Sequence, residues 1–190
     1  MERKAYTDSG VDVDAAERAL GRFRRQWPMT SIDSYTGLGE FGAIAQFPDE
    51  MERPLLLTST DGVGTKTEIA RRLGRFDTIG QDMVAMCADD VVCHGAQPTY
   101  FLDYLAVGHV DEERVSALIG GIAKACEEIG CVLVGGETAE HPGVMADDAF
   151  DLAGFCIGFV ELGDLIDRSL AHDGDAIIGL ASSGLHSNGY

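Results

Sequence analysis

The segment Ser59-Thr60-Asp61-Gly62-Val63-Gly64-Thr65-Lys66 gathers the residue types that handle a phosphate. Glycines at 62 and 64 remove the Cβ atoms that would hold a phosphate away from the backbone N–H groups. Lys66 adds a cation at the start of a helix, where free amides and the helix dipole already favour an anion. Val63 and Thr65 complete the turn, and Asp61 offers a hard oxygen to a magnesium ion. The spacing is not that of a Walker A loop, because Lys66 follows Thr65 rather than a glycine. Two further carboxylates join this one. Asp90 falls, on an ideal helical projection of 78–93, within an apolar stripe of Ile79, Met83, Met86, Cys87 and Cys93. A carboxylate facing a core is costly unless it is paired, hydrogen-bonded or bound to a metal. Glu137 follows the pair Gly135-Gly136. Singly, these acids read as turn former, capping or paired acid, and loop residue. Together with Lys66 they have the make-up of a site for a nucleotide and its magnesium ions.

The elements that must position these groups alternate along the chain. Residues 1–16 read as extended and polar, and 15–27 as a helix stopped by Pro28. Arg18, Arg22 and Arg25 give that helix a basic face. A glycine-rich loop follows at 37–42. An apolar run at 54–58 reads as a strand leading into the Asp61 turn, and 67–73 as a short helix closed by Gly74. Residues 101–107 read as a strand. The 111–129 stretch reads as an amphipathic helix, capped by Asp111, with Glu112 and Glu113 suiting its dipole and Gly130 ending it. Residues 131–134 read as a short strand running into Gly135-Gly136-Glu137-Thr138, and 150–161 and 175–181 as further strands. Strands alternating with helices predict an α/β or α+β domain.

Composition narrows the partners. Net charge is −18, from 32 acidic and 14 basic residues, so the surface repels nucleic acid and anionic membranes. Only Lys4, Lys66 and Lys124 are lysines, which singles out Lys66. A strongly acidic, lysine-poor chain also fits adaptation to high salt, where counterions screen self-repulsion. Five cysteines without a CxxC pair, set in apolar segments, read as reduced, buried thiols. The charged N-terminus leads into no apolar run and no stretch is long and apolar enough to cross a bilayer, so the expected setting is cytoplasmic.

At this point a family resemblance emerges. The segments that carry it begin with Tyr6-Thr7-Asp8-Ser9-Gly10-Val11-Asp12, Gly37-Leu38-Gly39-Glu40-Phe41-Gly42, Thr60 to Lys66 and Asp77-Thr78-Ile79-Gly80. They continue through Asp82 to Cys87, Phe101-Leu102-Asp103-Tyr104, Gly135-Gly136-Glu137-Thr138-Ala139-Glu140, Leu152 to Cys156 and Ser182 to Tyr190. In this order they resemble the phosphoribosylformylglycinamidine cyclo-ligase (aminoimidazole ribonucleotide synthetase) family across essentially all 190 residues.

The resemblance implies an α+β fold in which helices cover a small mixed sheet, and two such sheets pair into a barrel across a homodimer. It implies ATP and Mg2+ as cofactors and a small nucleotide substrate. Formylglycinamidine ribonucleotide would be phosphorylated on its amide oxygen and closed to aminoimidazole ribonucleotide, a step of purine synthesis. Residue by residue, Asp61, Asp90 and Glu137 would hold magnesium and ATP, and Lys66 with Gly62, Val63, Gly64 and Thr65 would cradle the phosphates. Lys66, Asp90 and His186 would be the catalytic set, and Arg24, His186, Ser187 and Asn188 would border the substrate. Arg24 stands where the family usually has lysine, Asp89 where it has asparagine and His141 where it has methionine. The resemblance divides the chain at about residue 165: 1–165 would bind ATP and dimerise, and 166–190 would open a second domain. Two alternatives stay beside it: a related superfamily enzyme acting on another substrate, and a non-catalytic module that binds nucleotide and dimerises.

Overall fold

The computed structural model describes residues 8–26, 42–182 and 184. The glycine loop at 37–41 and the segment around His186, Ser187 and Asn188 lie outside the described residues, as does the side chain of Arg24.

Helix α1 (Val13–Gln26) starts at Asp12, whose carboxylate accepts the Ala15 amide at 2.9 Å and so satisfies one of the free donors of the first turn. The extended reading of residues up to 16 is thereby corrected. Strand β1 (Pro54–Gly62) leads through a bend at 63–65 into α2 (Lys66–Leu73), closed by Gly74 in the left-handed conformation at φ 60°. Helix α3 (Ile79–Val92), strand β2 (Gln97–Val107), helix α4 (Glu112–Glu128) and strands β3 (Val132–Glu140) and β4 (Phe150–Glu161) follow. Asp111 caps α4 by accepting the Arg114 amide at 2.7 Å, as its sequence signature requires. Residues 175–181, expected as a strand, join no ladder among the described residues; Ile177 is fully exposed.

The four strands form a mixed sheet in the order β1-β4-β2-β3. Strand β4 runs antiparallel to both neighbours, and β2 runs parallel to β3. This is the α+β fold expected: one sheet, with helices gathered on one face. The inner face presents Leu55, Leu57, Phe101, Leu105, Val107, Leu133, Leu152 and Cys156 to helices α3 and α4, and α1 packs outside α4. Burying each large aliphatic or aromatic side chain there contributes roughly 1.5–3 kcal/mol before the entropy of ordering is counted. Helices α3 and α4 cross at two glycines. A Cβ on Gly80 would run into the backbone of Gly121 and Ile122, and one on Gly121 would lie 2.6 Å from the Asp77 carbonyl oxygen.

The outer face is only partly covered. Tyr100, Val134 and Phe159 form a small cluster there, over which Phe47 packs edge-on against Phe159 at 5.3 Å between ring centroids. Beyond that cluster Leu56, Phe155 and Tyr104 stand 50%, 45% and 36% exposed.

Candidate functional site

Strand β1 carries Ser59 and Asp61 on the inner face and continues through Asp61-Gly62, so the bend begins only at Val63. Ser59 Oγ donates to Asp90 Oδ2 at 2.9 Å, tying the last turn of α3 to the strand. Two residues on, about 7 Å along the same face, Asp61 accepts the amide of Gly62 at 2.7 Å. Asp61 and Asp90 both bear electrostatically on the Cys87 thiol beneath them. Burial pushes that thiol up to about 12, with the two carboxylates adding to the shift, so Cys87 is an inert packing group. An open groove of about 430 Å3 runs along the exposed edge of β1, lined by Ser59, Thr60, Asp90 and His94 among others.

Asp90 itself is exposed, which corrects the expected core-facing position. The buried residues of α3 are Ile79, Gly80, Met83, Val84, Cys87, Ala88 and Val91. Their stripe is centred about 70° from Asp90 on a helical projection. Cys93, expected among the buried thiols, is exposed as well, while Cys87, Cys126, Cys131 and Cys156 are buried and all five are free.

Lys66 opens α2 and is 13% exposed; its ammonium lies 3.5 Å from Asp82 Oδ2 and 3.8 Å from Met86 Sδ, both on α3. The amide of Val63 is taken by the Leu152 carbonyl oxygen at 2.9 Å, whereas those of Gly64 and Thr65 meet no backbone acceptor among the described residues. Gly64 sits at φ 70°, which a side chain would strain.

Glu137 lies elsewhere. It is on β3, which runs unbroken through Gly135-Gly136-Glu137-Thr138 rather than ending in a loop there, and it is exposed opposite Tyr104 on the outer face. Three strand spacings separate β3 from β1, roughly 14 Å, and the two carboxylates emerge on opposite faces. Among the described residues no three histidines, cysteines or acids come together to hold a metal ion. One chain thus sets Asp61 and Asp90 near the same thiol and leaves Glu137 on the opposite face of the sheet.

Two acids without an assigned role prove structurally prominent. Asp103 is 7% exposed and shares a row of the sheet with Asp61, Gly154 and Gly136. Its carboxyl fills the room left by the missing side chain of Gly136: a Cβ there would lie 2.7 Å from Asp103 Cγ. Burial, with a smaller contribution from Glu137, raises its pKa to about 7, against the lowering effect of its own amide. Glu140 has a 2% exposed side chain that accepts the amides of Asp12 at 2.6 Å and Val110 at 2.8 Å and meets His109 Nδ1 at 2.9 Å. The alternation Phe101-x-Asp103-x-Leu105 marks Asp103 as a core position; nothing local marks Glu140, whose partners come from distant segments.

The sequence matches the family described as AIR synthase related protein, N-terminal domain, over residues 42–160. This chain belongs to that family. Solved structures share the family fold with it. The hydrogenase maturation protein HypE in complex with ATP superimposes with a TM-score of 0.57 at 19% identity, covering 80% of this chain and 42% of that one. Thiamine-monophosphate kinase from Stenotrophomonas maltophilia gives 0.57 at 22%, covering 80% and 44%. HypE from E. coli gives 0.55 at 17%, covering 77% and 44%. The chain therefore spans less than half the length of these structures. No helix among the described residues is long and apolar enough to cross a membrane.

Proposed function

We propose that this member of the AIR synthase related family binds magnesium–ATP and serves in the ATP-dependent closure of formylglycinamidine ribonucleotide to aminoimidazole ribonucleotide. The approach of Asp61 and Asp90 to the same thiol near the end of β1, beside the Gly64 and Thr65 amides that meet no backbone acceptor among the described residues, carries the nucleotide reading. That donor set suits magnesium, which takes few carboxylates and completes its shell with water and phosphate oxygens. When bound, the ion would neutralise charge on those oxygens. A family relative by fold, HypE, has been solved with ATP.

In this reading Asp61 and Asp90 hold the ion, Gly62 to Thr65 face the phosphates, and Lys66 leaves Asp82 to meet the transferred group. The amide oxygen of the substrate attacks the terminal phosphorus of ATP, and ADP leaves. A second nitrogen of the same substrate then attacks the activated carbon, and phosphate departs with the former amide oxygen. Such a reaction asks the protein mainly for positioning and charge stabilisation. Arg24, His186, Ser187 and Asn188 are assigned to the substrate on the sequence resemblance alone, as are the division near residue 165 and the cytoplasmic setting.

Glu137 joins the site from a second copy. Its outer-face position is what a homodimer needs if two sheets meet through Leu56, Tyr104 and Phe155, so that the Glu137 of one copy reaches the end of the other's edge strand β1, which carries Asp61.

Calorimetric titration of magnesium–ATP into the chain, beside product formation by the protein as its gene encodes it, tests the proposal. Saturable binding that Asp90→Asn weakens, with aminoimidazole ribonucleotide formed, supports it. Binding with no product supports a relative with another substrate or a non-catalytic dimerising module. Absence of nucleotide binding overturns it.

A further inference from the structure

The two glutamates of Gly-Gly-Glu-Thr-Ala-Glu stand three residues apart on one strand, so they point to opposite faces. What decides which glutamate goes where is the register of β3 on β2. That register is not continuous: Phe101 pairs with Leu133 and Leu102 with Gly135, which leaves Val134 as an extra residue. Beyond this bulge come Gly135 and Gly136, which have no side chains to fix a register, on a strand at the edge of the sheet. Either glycine accommodates the Asp103 carboxyl, so that contact does not choose between them.

If the bulge were absorbed by a one-residue slip, Glu137 would turn inward opposite Leu105, in the fully buried core. Glu140 would turn outward and lose its donors. In the observed register Glu140 is instead opposite Val107, on the inner face, with the amides of Asp12 and Val110 and the His109 imidazole against it. Those partners belong to the start of α1 and to the β2–α4 connection. They form a fixed socket that only one register of β3 fills.

We infer that Glu140 is a positioning residue: its capture by Asp12, Val110 and His109 fixes the register of β3 and thereby holds Glu137 on the outer face, where the nucleotide site needs it. The need for Glu137 rests on the reading under Proposed function. The register claim does not.

Two measurements separate them. With Cys93→Ser removing the exposed thiol, Tyr104→Cys and Glu137→Cys place two thiols opposite each other on the outer face. Dibromobimane bridges such a pair and becomes fluorescent. Bridging is expected in this background, to fall at least about fivefold when Glu140→Ala is added, and to be intermediate with Glu140→Gln, which keeps one acceptor oxygen. Undiminished bridging in a folded Glu140→Ala chain overturns the inference. Should Glu140→Ala not fold, Glu140→Gln alone decides by the same criterion.

The second measurement uses the native thiols and magnesium–ATP binding. Glu140→Ala is expected to weaken binding about tenfold or more, and Glu137→Ala/Glu140→Ala to bind no more weakly than Glu137→Ala alone. Additive losses would show that Glu140 does not act through Glu137 and overturn that half. If the unsubstituted chain binds no magnesium–ATP, the nucleotide reading fails while the bimane result still decides the register.

Discussion

The ammonium of Lys66 is held 3.5 Å from the carboxylate of Asp82, on a side chain almost closed off from water. The lysine beside the glycine bend is therefore engaged within the chain, and an incoming phosphate must compete with Asp82 for it. Removing the competitor makes the lysine easier to recruit. Asp82→Asn is expected to tighten magnesium–ATP binding by roughly two- to fivefold, since a partly exposed pair contributes about 0.5–1 kcal/mol. Calorimetry at fixed salt reads this directly; an unchanged or weaker affinity removes Lys66 from the phosphate site.

Asp103 gives a pH dependence whose sign is fixed. Its pKa rises from 3.8 to about 7 on folding, so between those values the folded chain keeps a proton that the unfolded chain has released. The contribution to stability is therefore full below the lower value and is lost as pH rises towards the upper one. Asp103→Asn removes this slope, and above pH 7 the variant is expected to be more stable by a few kcal/mol, at about 1.4 kcal/mol per unit of pKa. Urea titrations of both proteins at pH 5 and pH 8, without magnesium, supply the comparison. Equal pH slopes for the two would contradict it.

How much of this was written in the sequence depends on how local each signal is. Helix ends at Asp111, Gly74 and Gly130 were legible because caps are read from one or two residues. The orientation of Asp90 was not. Counting Met86 and Cys93 into the stripe, and leaving out Gly80, Val84, Ala88 and Val91, rotated its centre towards the acid. Small residues are what let α3 and α4 approach closely, yet they carry little weight in a hydrophobic count. The separation of Glu137 from Asp61 was hidden for another reason: strand order and a one-residue bulge decide it, and neither has a signature within the motifs. The substrate group at His186, Ser187 and Asn188 falls outside the described residues.

The crossing of α3 and α4 offers a packing test. Gly80→Ala would force a methyl group into the backbone of Gly121 and Ile122, which cannot retreat as a side-chain tip does. A loss of about 1–3 kcal/mol is expected, measured by chemical denaturation. Gly163→Ala, at a position with open space around it, serves as the control and should change little.

The charge of −18 on 190 residues predicts a salt requirement. At about 0.01 M salt the Debye length approaches 30 Å and the acids repel one another across the whole molecule, whereas at 1 M it is near 3 Å. The melting temperature should rise steeply between these conditions in potassium chloride. A flat profile would remove salt adaptation from consideration.

The buried thiols have a practical consequence. Cys131 is held up to about 12, chiefly by its contact with Cys126, and Cys156 is raised through its contact with Cys131. Neither reacts while the chain is closed, and Cys87 is shielded in the same way, whereas Cys93 is open to solvent. A maleimide added to the native protein would label Cys93 at once and the remaining thiols only in molecules that have opened. The fast event counts molecules and the slow one counts openings. The chain thus carries an internal clock for its own unfolding, readable by mass spectrometry without denaturant or an added probe site.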